Sequence, residues 1–154
     1  IAPKIIELAE SGLKVKLAFS LHSCFEDTRT EIMPINKKYS LKENIEALKY
    51  HVKKTGTRIT FEYVMLNGIN DTQKDLKALV KLCKDIPSKV NVIPFNSLKH
   101  MNPTGYSALL EPTPRKRINE FVEKLRENDI TVIVRYTQGE DIAAACGQLA
   151  VNYN

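Results

Sequence analysis

Apolar residues recur along the chain in two alternating patterns, which predict strands separated by helices. Short runs rich in β-branched residues predict strands at residues 15–21, 58–66, 90–95 and 131–136. Between these runs, apolar residues repeat at three- and four-residue spacing, as they do in amphipathic helices. Because parallel strands need long return connections that are usually helical, this alternation predicts a parallel sheet with helical crossovers.

Local signals mark where several of the predicted helices begin and end. Ser40 and Glu43 predict a capping box, and Gly56 is predicted to end the same helix. Asp71 is predicted to cap the next helix, and Thr113-Pro114 to open the last one. The side chains expected to face inward from these three helices are Leu41, Ile45, Leu48 and Val52, then Leu76, Leu79, Val80 and Cys83, then Ile118, Phe121, Val122 and Leu125.

Polar residues at the strand ends favour one of two α/β architectures. A doubly wound sheet and a segment of a β/α barrel both satisfy the alternation of strands and helices. Ser20, His22, Asn67 and Asn96 all fall at or just after the carboxyl ends of their predicted strands. That rim is where β/α barrels gather their chemistry, so the expected fold is α/β, a barrel segment with parallel strands.

Composition and charge place few limits on function. The chain has 154 residues, 43% of them apolar, which suffices for one domain with an apolar core. A net charge of +5 and a pI near 9.1 are compatible with a nucleic-acid partner, but equally with a modestly basic soluble protein. No apolar run approaches the length of a membrane span, and the first residues do not resemble a signal peptide. Without an initiator Met, the chain is expected to be part of a longer protein.

The three cysteines differ in their surroundings. No pair has the spacing of metal ligands, and the odd number argues against a closed disulfide framework, which favours a reducing cytoplasm. Cys83 lies on an apolar helix face and is expected in the core, while Cys24 is expected to be an incidental loop residue. Cys146 follows three alanines and precedes a glycine. It is either a reactive thiol left open by small neighbours or a packed residue at the end of a short helix.

Taken alone, the polar strand ends and the basic segments are ambiguous. The segment 20–22 could hydrogen-bond a ribose or a carboxylate, or could only satisfy the loop that follows, and Asn96 could be a ligand contact or a turn residue. The basic segments are 36–39, 99–100 and 115–117. Lys38 and Tyr39 could meet a phosphate and a base face, whereas Arg115 to Arg117 are expected to be solvated surface.

Five segments, in order and at consistent spacing, resemble one enzyme family over nearly the whole chain. The family is the bacterial dual-specificity ribosomal and transfer RNA adenine-C2 methyltransferases of the RlmN type, and the resemblance is to their C-terminal half. The segments are Leu17-Ala18-Phe19-Ser20-Leu21-His22, Arg29-x-x-Ile32-Met33-Pro34-Ile35-Asn36, Phe61-Glu62-Tyr63-Val64-Met65-Leu66, Asn91-Val92-Ile93-Pro94-Phe95-Asn96 and Ala144-Ala145-Cys146-Gly147-Gln148-Leu149.

The resemblance implies a radical S-adenosylmethionine enzyme with an open β/α barrel. Residues 1–154 would form the C-terminal part of that barrel together with its tail. Ser20, Leu21, His22 and Asn96 match positions that hold S-adenosylmethionine, and Cys146 matches the catalytic cysteine that carries the methyl group. The implied partners are 23S rRNA, tRNA and an electron donor for a [4Fe-4S] cluster, with no membrane involved.

The same resemblance implies a mechanism that this chain cannot complete alone. In the family, the cysteine is methylated on sulfur, and its methyl carbon then adds to C2 of adenine after radical hydrogen abstraction. A second cysteine releases the product through a disulfide. The cluster motif, the resolving cysteine and a cofactor-binding glycine-glutamate segment would all lie upstream, so the isolated chain is expected to be inactive. Two alternatives stay open: the sister enzyme that methylates adenine C8, and a non-catalytic RNA-binding module. A barrel hydrolase or lyase using His22 and Glu62 ranks last.

Overall fold

The computed structural model of the chain describes residues 1–98 and 101–136, where parallel strands alternate with helices. The strands are β1 (Ala18–Ser20), β2 (Ile59–Met65), β3 (Ser88–Pro94) and β4 (Val132–Val134). They form one sheet in the order β1-β2-β3-β4, and every neighbouring pair is parallel. All four strands lie within or overlap the predicted ranges, and their carboxyl ends share one edge of the sheet.

Helices connect the strands as the alternation predicted. They are α1 (Ala2–Glu10), α2 (Glu26–Ile32), α3 (Leu41–Thr55), α4 (Gln73–Asp85) and α5 (Arg115–Glu127), with 3-10 turns at Pro34–Lys37 and Gly105–Leu109. The sequence pattern did not predict α2 or the two 3-10 turns. Among the helices of the described residues, none is long and apolar enough to cross a membrane.

The helix caps confirm one prediction and correct another. Ser40 and Glu43 form the predicted capping box at α3, and Gly56 ends that helix with a φ of 70°. The prediction that Asp71 caps α4 was wrong: the cap is Thr72, which forms a capping box with Asp75. The Asp71 carboxylate is already occupied, because it accepts hydrogen bonds from the loop before α4 and from residues at the start of α5.

One face of the sheet packs against helices and forms the apolar core. Successive residues of β2 alternate between buried and partly exposed, so Phe61, Tyr63 and Met65 all point to this side. The Tyr63 ring stacks on Phe121 of α5 at 6.0 Å between centroids. The predicted inward positions of α3, α4 and α5 are confirmed as buried or packed against the core, namely Leu41, Ile45, Leu48, Val52, Leu76, Leu79, Val80, Cys83, Ile118, Phe121, Val122 and Leu125.

The opposite face of the sheet is more polar and more open. The strand registers align Ser20, Glu62, Asn91 and Ile133 in one row across all four strands. Ser20 is exposed, and Ile133 is 45% exposed. In a closed β/α barrel the corresponding face lines the interior, so this row is the part of the sheet that a barrel would enclose.

Candidate functional site

The segment Ser20-Leu21-His22 begins at the last residue of β1 and is hydrogen-bonded to β2. The backbone N–H groups of Leu21 and His22 both donate to the Glu62 carbonyl oxygen, at 3.0 and 3.3 Å. The Leu21 side chain is fully buried, whereas Ser20 is exposed. Backbone pairing and an apolar side chain therefore fix this segment, and the Ser20 hydroxyl faces open space at the edge where the strands end.

The His22 imidazole is held uncharged and in one orientation. Its Nδ1 accepts a hydrogen bond from the Val64 backbone N–H at 3.2 Å, which places the ring proton on Nε2. Burial, together with the charge of Arg29, lowers the pKa of His22 to about 4. The residue has a φ of 55°, the left-handed region that side chains seldom adopt. At neutral pH it therefore offers one N–H donor, at Nε2, and no positive charge.

The buried Arg29 guanidinium fixes the backbone of the same segment. Nη2 donates to the Ser20 carbonyl oxygen at 2.9 Å, and Nε donates to the Leu21 carbonyl oxygen at 3.1 Å. Nη1 donates to the Asn36 side-chain oxygen. The planar guanidinium suits this task, because its donors are rigidly spaced and can satisfy two successive carbonyl groups at once. The guanidinium carbon also lies 5.1 Å from the centre of the Phe19 ring.

Asn36 belongs to this buried network and not to an exposed basic segment. It is only 2% exposed, and its Nδ2 donates to the Glu26 carboxylate at 2.7 Å and to the Thr30 hydroxyl at 2.9 Å. Asn36, the first residue of the segment 36–39, is therefore not available as a surface contact for nucleic acid. The Lys38 ammonium lies 5.6 Å from the centre of the Tyr39 ring, and the role suggested for these two residues stays a prediction.

Asn70 is a second positioning residue that the sequence analysis missed. It is fully buried, and its Nδ2 donates to the carbonyl oxygens of His22 and Val64, both at 2.7 Å. Its Oδ1 accepts from the Leu66 N–H at 2.7 Å. Asn70 thus joins the end of β2 to the turn after β1. The signal in the sequence was weak, because an asparagine five residues after a strand end is ordinary in a turn.

Asn96 lies at the same edge of the sheet as the segment 20–22. β3 ends at Pro94, and Asn96 follows two residues later, partly buried and hydrogen-bonded or otherwise in polar contact. β2 separates β1 from β3 in the sheet. The structure therefore brings the predicted residues to one rim, on two strands that flank β2.

Asn67, the fourth polar residue predicted at a strand end, takes part in a loop-to-helix network. Arg117 Nη1 donates to Asn67 Oδ1 at 2.8 Å and to Asp71 Oδ2 at 3.1 Å, and the Thr113 hydroxyl donates to the same Asp71 oxygen at 3.1 Å. Arg117 is exposed, as expected for Arg115 to Arg117, but it also makes these two contacts. Lys116 is 90% exposed, in agreement with that expectation.

The two cysteines among the described residues pack against the core and belong to no group of potential metal ligands. Cys24 and Cys83 are free thiols, and burial raises the pKa of Cys24 to about 12 and that of Cys83 to about 11. Within residues 1–98 and 101–136, no group of three or more His, Cys, Asp or Glu side chains could hold a metal ion, and no disulfide is present. Cys146, its neighbours and the basic pair Lys99-His100 lie outside the described residues.

Comparison with known proteins identifies relatives of the chain. No protein-family model matches it. The chain is 46% identical over 149 residues to a protein of Christiangramia forsetii and 44% identical over 153 residues to one of Clostridium beijerinckii. Both are described as a probable dual-specificity RNA methyltransferase RlmN. These matches cover 96% and 99% of this chain but only 40% and 41% of the relatives, so the chain spans about two fifths of their length.

A solved structure agrees with the sequence matches. A radical SAM methyltransferase from Sphaerobacter thermophilus superimposes with a TM-score of 0.80 at 40% identity, over 96% of this chain and 41% of that chain. The four parallel strands therefore correspond to part of a radical S-adenosylmethionine barrel, as the sequence predicted. Over the part of their length that it matches, the chain is a homologue of the RlmN-type dual-specificity RNA methyltransferases.

Proposed function

We propose that the chain works as the C-terminal part of a radical S-adenosylmethionine enzyme that methylates adenine C2 in 23S rRNA and tRNA. Residues 1–154 would comprise the end of the barrel and the tail that bears the methyl-carrying Cys146. The observation that supports this most is the identity of 40% or more to RlmN-type relatives along nearly the whole chain. The proposed setting is the cytoplasm, where thiols stay reduced.

Ser20, Leu21, His22 and Asn96 are proposed to hold S-adenosylmethionine, and the geometry of the described residues fits this ligand. The Ser20 hydroxyl is exposed at the rim, and His22 presents a neutral Nε2–H. Because the sulfonium of the cofactor is positive, an imidazole with a pKa near 4 avoids repulsion that a protonated histidine would cause. When bound, S-adenosylmethionine supplies the methyl carbon and the radical initiator.

The described residues do not fit a [4Fe-4S] cluster. Such clusters are bound by thiolates, and burial strongly disfavours the thiolate form of both Cys24 and Cys83. No other candidate ligand group occurs among the described residues. The proposed cluster and its electron donor therefore require ligands other than these.

The chemistry of the substrate explains why a cysteine is proposed as the methyl carrier. C2 of adenine is an electron-poor ring carbon with no lone pair, so it cannot displace a methyl group from a sulfonium. A thiolate can do so, and Cys146 would supply it: its sulfur would bond to the methyl carbon as the carbon–sulfonium bond breaks, and the sulfonium would leave as a neutral thioether. Cys146 would then hold the carbon as S-methylcysteine. Its neighbours in the sequence, Ala145 and Gly147, are small and would leave room for an RNA base to approach.

A chimeric enzyme tests this proposal. This chain would replace the matching segment of the Clostridium beijerinckii relative, and RNA modified by the chimera would be digested and analysed by mass spectrometry. We expect 2-methyladenosine in 23S rRNA and tRNA. The Cys146→Ala chimera should form none, whereas Cys83→Ala, which removes a thiol packed against the core, should retain the product.

Each other outcome contradicts a defined part of the proposal. Product formed at an unchanged level by Cys146→Ala would reject the methyl-carrying role. Formation of 8-methyladenosine would reassign the chain to the C8 sister enzymes. RNA binding without any methylation, by a soluble chimera that has its iron–sulfur absorbance, would leave only a non-catalytic RNA-binding module.

A further inference from the structure

Glu62 and Asn91 form an incompletely satisfied polar pair in the middle of the open sheet face. They are register partners on β2 and β3, and Asn91 Nδ2 donates to Glu62 Oε1 at 2.9 Å. The remaining side-chain oxygens, Glu62 Oε2 and Asn91 Oδ1, are both buried and have no hydrogen-bond partner. Asn91 is only 8% exposed. The pair thus presents two adjacent acceptors, one of them on a carboxylate, without a donor.

This arrangement costs stability unless a donor arrives. A buried acceptor without a partner loses its hydrogen bonds to water and gains nothing in exchange. The penalty is larger for a carboxylate, and Glu62 has no salt-bridge partner among the described residues. Such groups are uncommon in folded proteins and concentrate at functional sites. Two apolar residues in this row would avoid the penalty, so the chain retains a polar pair that its own described residues do not complete.

The position of the pair connects it to the candidate cofactor site. Ser20 is the register neighbour of Glu62, and the Glu62 carbonyl accepts from both Leu21 and His22. Adjacent parallel strands lie about 4.8 Å apart, so Ser20, Glu62 and Asn91 form a polar strip about 10 Å wide. Ile133, on the far side of Asn91, ends the strip with an apolar side chain. A ligand seated at the rim over Ser20 would therefore have the pair beneath it.

We propose that Glu62 and Asn91 are a nucleoside-recognition pair whose two free oxygens accept hydrogen bonds from paired donors on the bound ligand. This inference rests on the proposed function, since that function places a nucleoside at the segment 20–22. Two groups of a nucleoside carry paired donors: the 2′,3′-diol of ribose and the exocyclic amino group of adenine. Both satisfy two neighbouring acceptors, and the site requires that one of them do so.

A rotation of the Glu62 carboxylate would bring its free acceptor to a ligand. Glu62 is only partly buried as a residue, and rotation about its last side-chain torsion is soft. Such a rotation moves both carboxylate oxygens, so a small turn can bring Oε2 toward the open face while Oε1 stays within hydrogen-bond distance of Asn91. The hydrogen bond from Asn91 limits the orientations that the Glu62 carboxylate can adopt. Because the carboxylate is oriented before the ligand binds, less conformational entropy is lost on binding.

Glu62→Gln is the most direct test. A glutamine has nearly the same shape, and its amide can pair with Asn91 through two reciprocal hydrogen bonds, which removes both free acceptors at once. Binding of adenosine to the chain would be measured by isothermal titration calorimetry and ligand-observed NMR. We expect Glu62→Gln to weaken binding about tenfold or more, as loss of a hydrogen bond to a charged acceptor does. Glu120→Gln, on the exposed side of α5, is the matched control and should change nothing.

Adenosine analogues identify which donors the pair accepts. 2′-Deoxyadenosine and 3′-deoxyadenosine each lack one ribose donor, and purine riboside lacks the amino group. The analogue that lacks the recognised donors should bind the unaltered chain as weakly as adenosine binds the Glu62→Gln variant. The substitution should not weaken the binding of that analogue further. The other kind of analogue should lose as much affinity on Glu62→Gln as adenosine does.

Three results would overturn the proposal: no saturable adenosine binding to the unaltered chain at millimolar ligand, unchanged adenosine affinity in Glu62→Gln, or equal sensitivity of every analogue to the substitution. Thermal unfolding shows whether the variant folds, and the melting temperature should rise by about 2–4 °C because the buried acceptors are satisfied. The outcome is independent of the chimera assay: adenosine binding that depends on Glu62 in a chain whose chimera forms no methyladenosine would retain this site and reject the methyltransferase.

Discussion

Two neighbouring regions of the sheet differ in how completely their polar groups are hydrogen-bonded. At the end of β1, the carbonyl oxygens of Ser20 and Leu21 accept from Arg29, that of His22 accepts from Asn70, and the His22 ring accepts from the end of β2. In the middle of β2 and β3, Glu62 and Asn91 share one hydrogen bond and leave two buried oxygens without partners. The two regions are register neighbours in one sheet.

The difference separates groups that set backbone shape from groups that are available to a ligand. The turn after β1 must keep His22 in the left-handed region, and only a fully satisfied network compensates for that strain. The pair in the middle of the sheet is held by regular strands and needs no such support. Incomplete hydrogen bonding there lowers stability without changing the backbone, which is what a preformed binding site requires.

The largest effect is expected from removing the guanidinium that satisfies the turn. Arg29→Leu leaves the Ser20 and Leu21 carbonyl oxygens and the Asn36 side-chain oxygen without their donor. Because each buried orphan costs about 1–3 kcal/mol, the free energy of unfolding should fall by about 3 kcal/mol or more. Urea denaturation followed by circular dichroism measures it. Arg58→Leu, at an exposed position, is the control; equal losses in the two variants would contradict the role of Arg29.

Asn70→Ala should have a somewhat smaller effect of the same kind. It removes two donated hydrogen bonds and one accepted bond from the junction between the turn and β2, and the loss should be about 2 kcal/mol. The same urea experiment measures it. Hydrogen exchange should also speed up at the Leu66 N–H, which donates to Asn70. This increase in rate should be larger than the increase at core amides of β2 such as Tyr63. Uniform acceleration across β2 would show that Asn70 contributes only to global stability.

Acidification should weaken the turn through His22. The pKa of His22 is lowered to about 4 in the folded protein and is near 6.5 in the unfolded chain, so between these values the unfolded state binds more protons. The contribution of the neutral His22 to the free energy of unfolding is therefore fully present above pH 6.5 and is lost as the pH falls toward 4. Between pH 7 and pH 5 the loss from this residue should be about 1–2 kcal/mol.

His22→Asn provides the comparison for that pH dependence. Asparagine tolerates the left-handed conformation and has no ionisable group, so the variant should be less stable at pH 7 but should lose less stability between pH 7 and pH 5. Thermal unfolding at both pH values measures the difference. Parallel pH profiles for the two proteins would mean that His22 is not held neutral by the fold.

The strands and the cap of α3 could be predicted from the sequence because they depend on local patterns. The strands follow from short apolar runs, and the α3 cap follows from Ser40, Glu43 and Gly56, all of which act within a few residues. The residues proposed to bind the cofactor came from a family resemblance, and the structure brings them to one rim of the sheet.

The contact between Asn70 and the turn after β1 could not be predicted, because its partners are distant in the chain. Asn70 meets the carbonyl of His22 across 48 positions, and nothing in either segment indicates that contact. α2 was missed because its sequence, EDTRTEI, lacks an apolar stripe. Its inward-facing residue is Arg29, and a buried arginine has the same signature in a sequence as an exposed one.

The smallest effect concerns the basic start of α5, where the sequence analysis treated three residues alike. Arg117 contacts Asn67 and Asp71, whereas Lys116 meets only Glu120 at 4.0 Å. The Arg117 side chain is 47% exposed, so solvent screens the contact and Arg117→Ala should lower stability by only about 0.5–1 kcal/mol. Lys116→Ala should leave it unchanged within error. Thermal unfolding of both variants in low and high salt measures the contrast, and the Arg117 effect should shrink as salt rises. If the two alanine variants are indistinguishable at low salt, the carboxyl rim of β2 does not depend on α5, and the fully satisfied region is limited to the turn that Arg29 and Asn70 support.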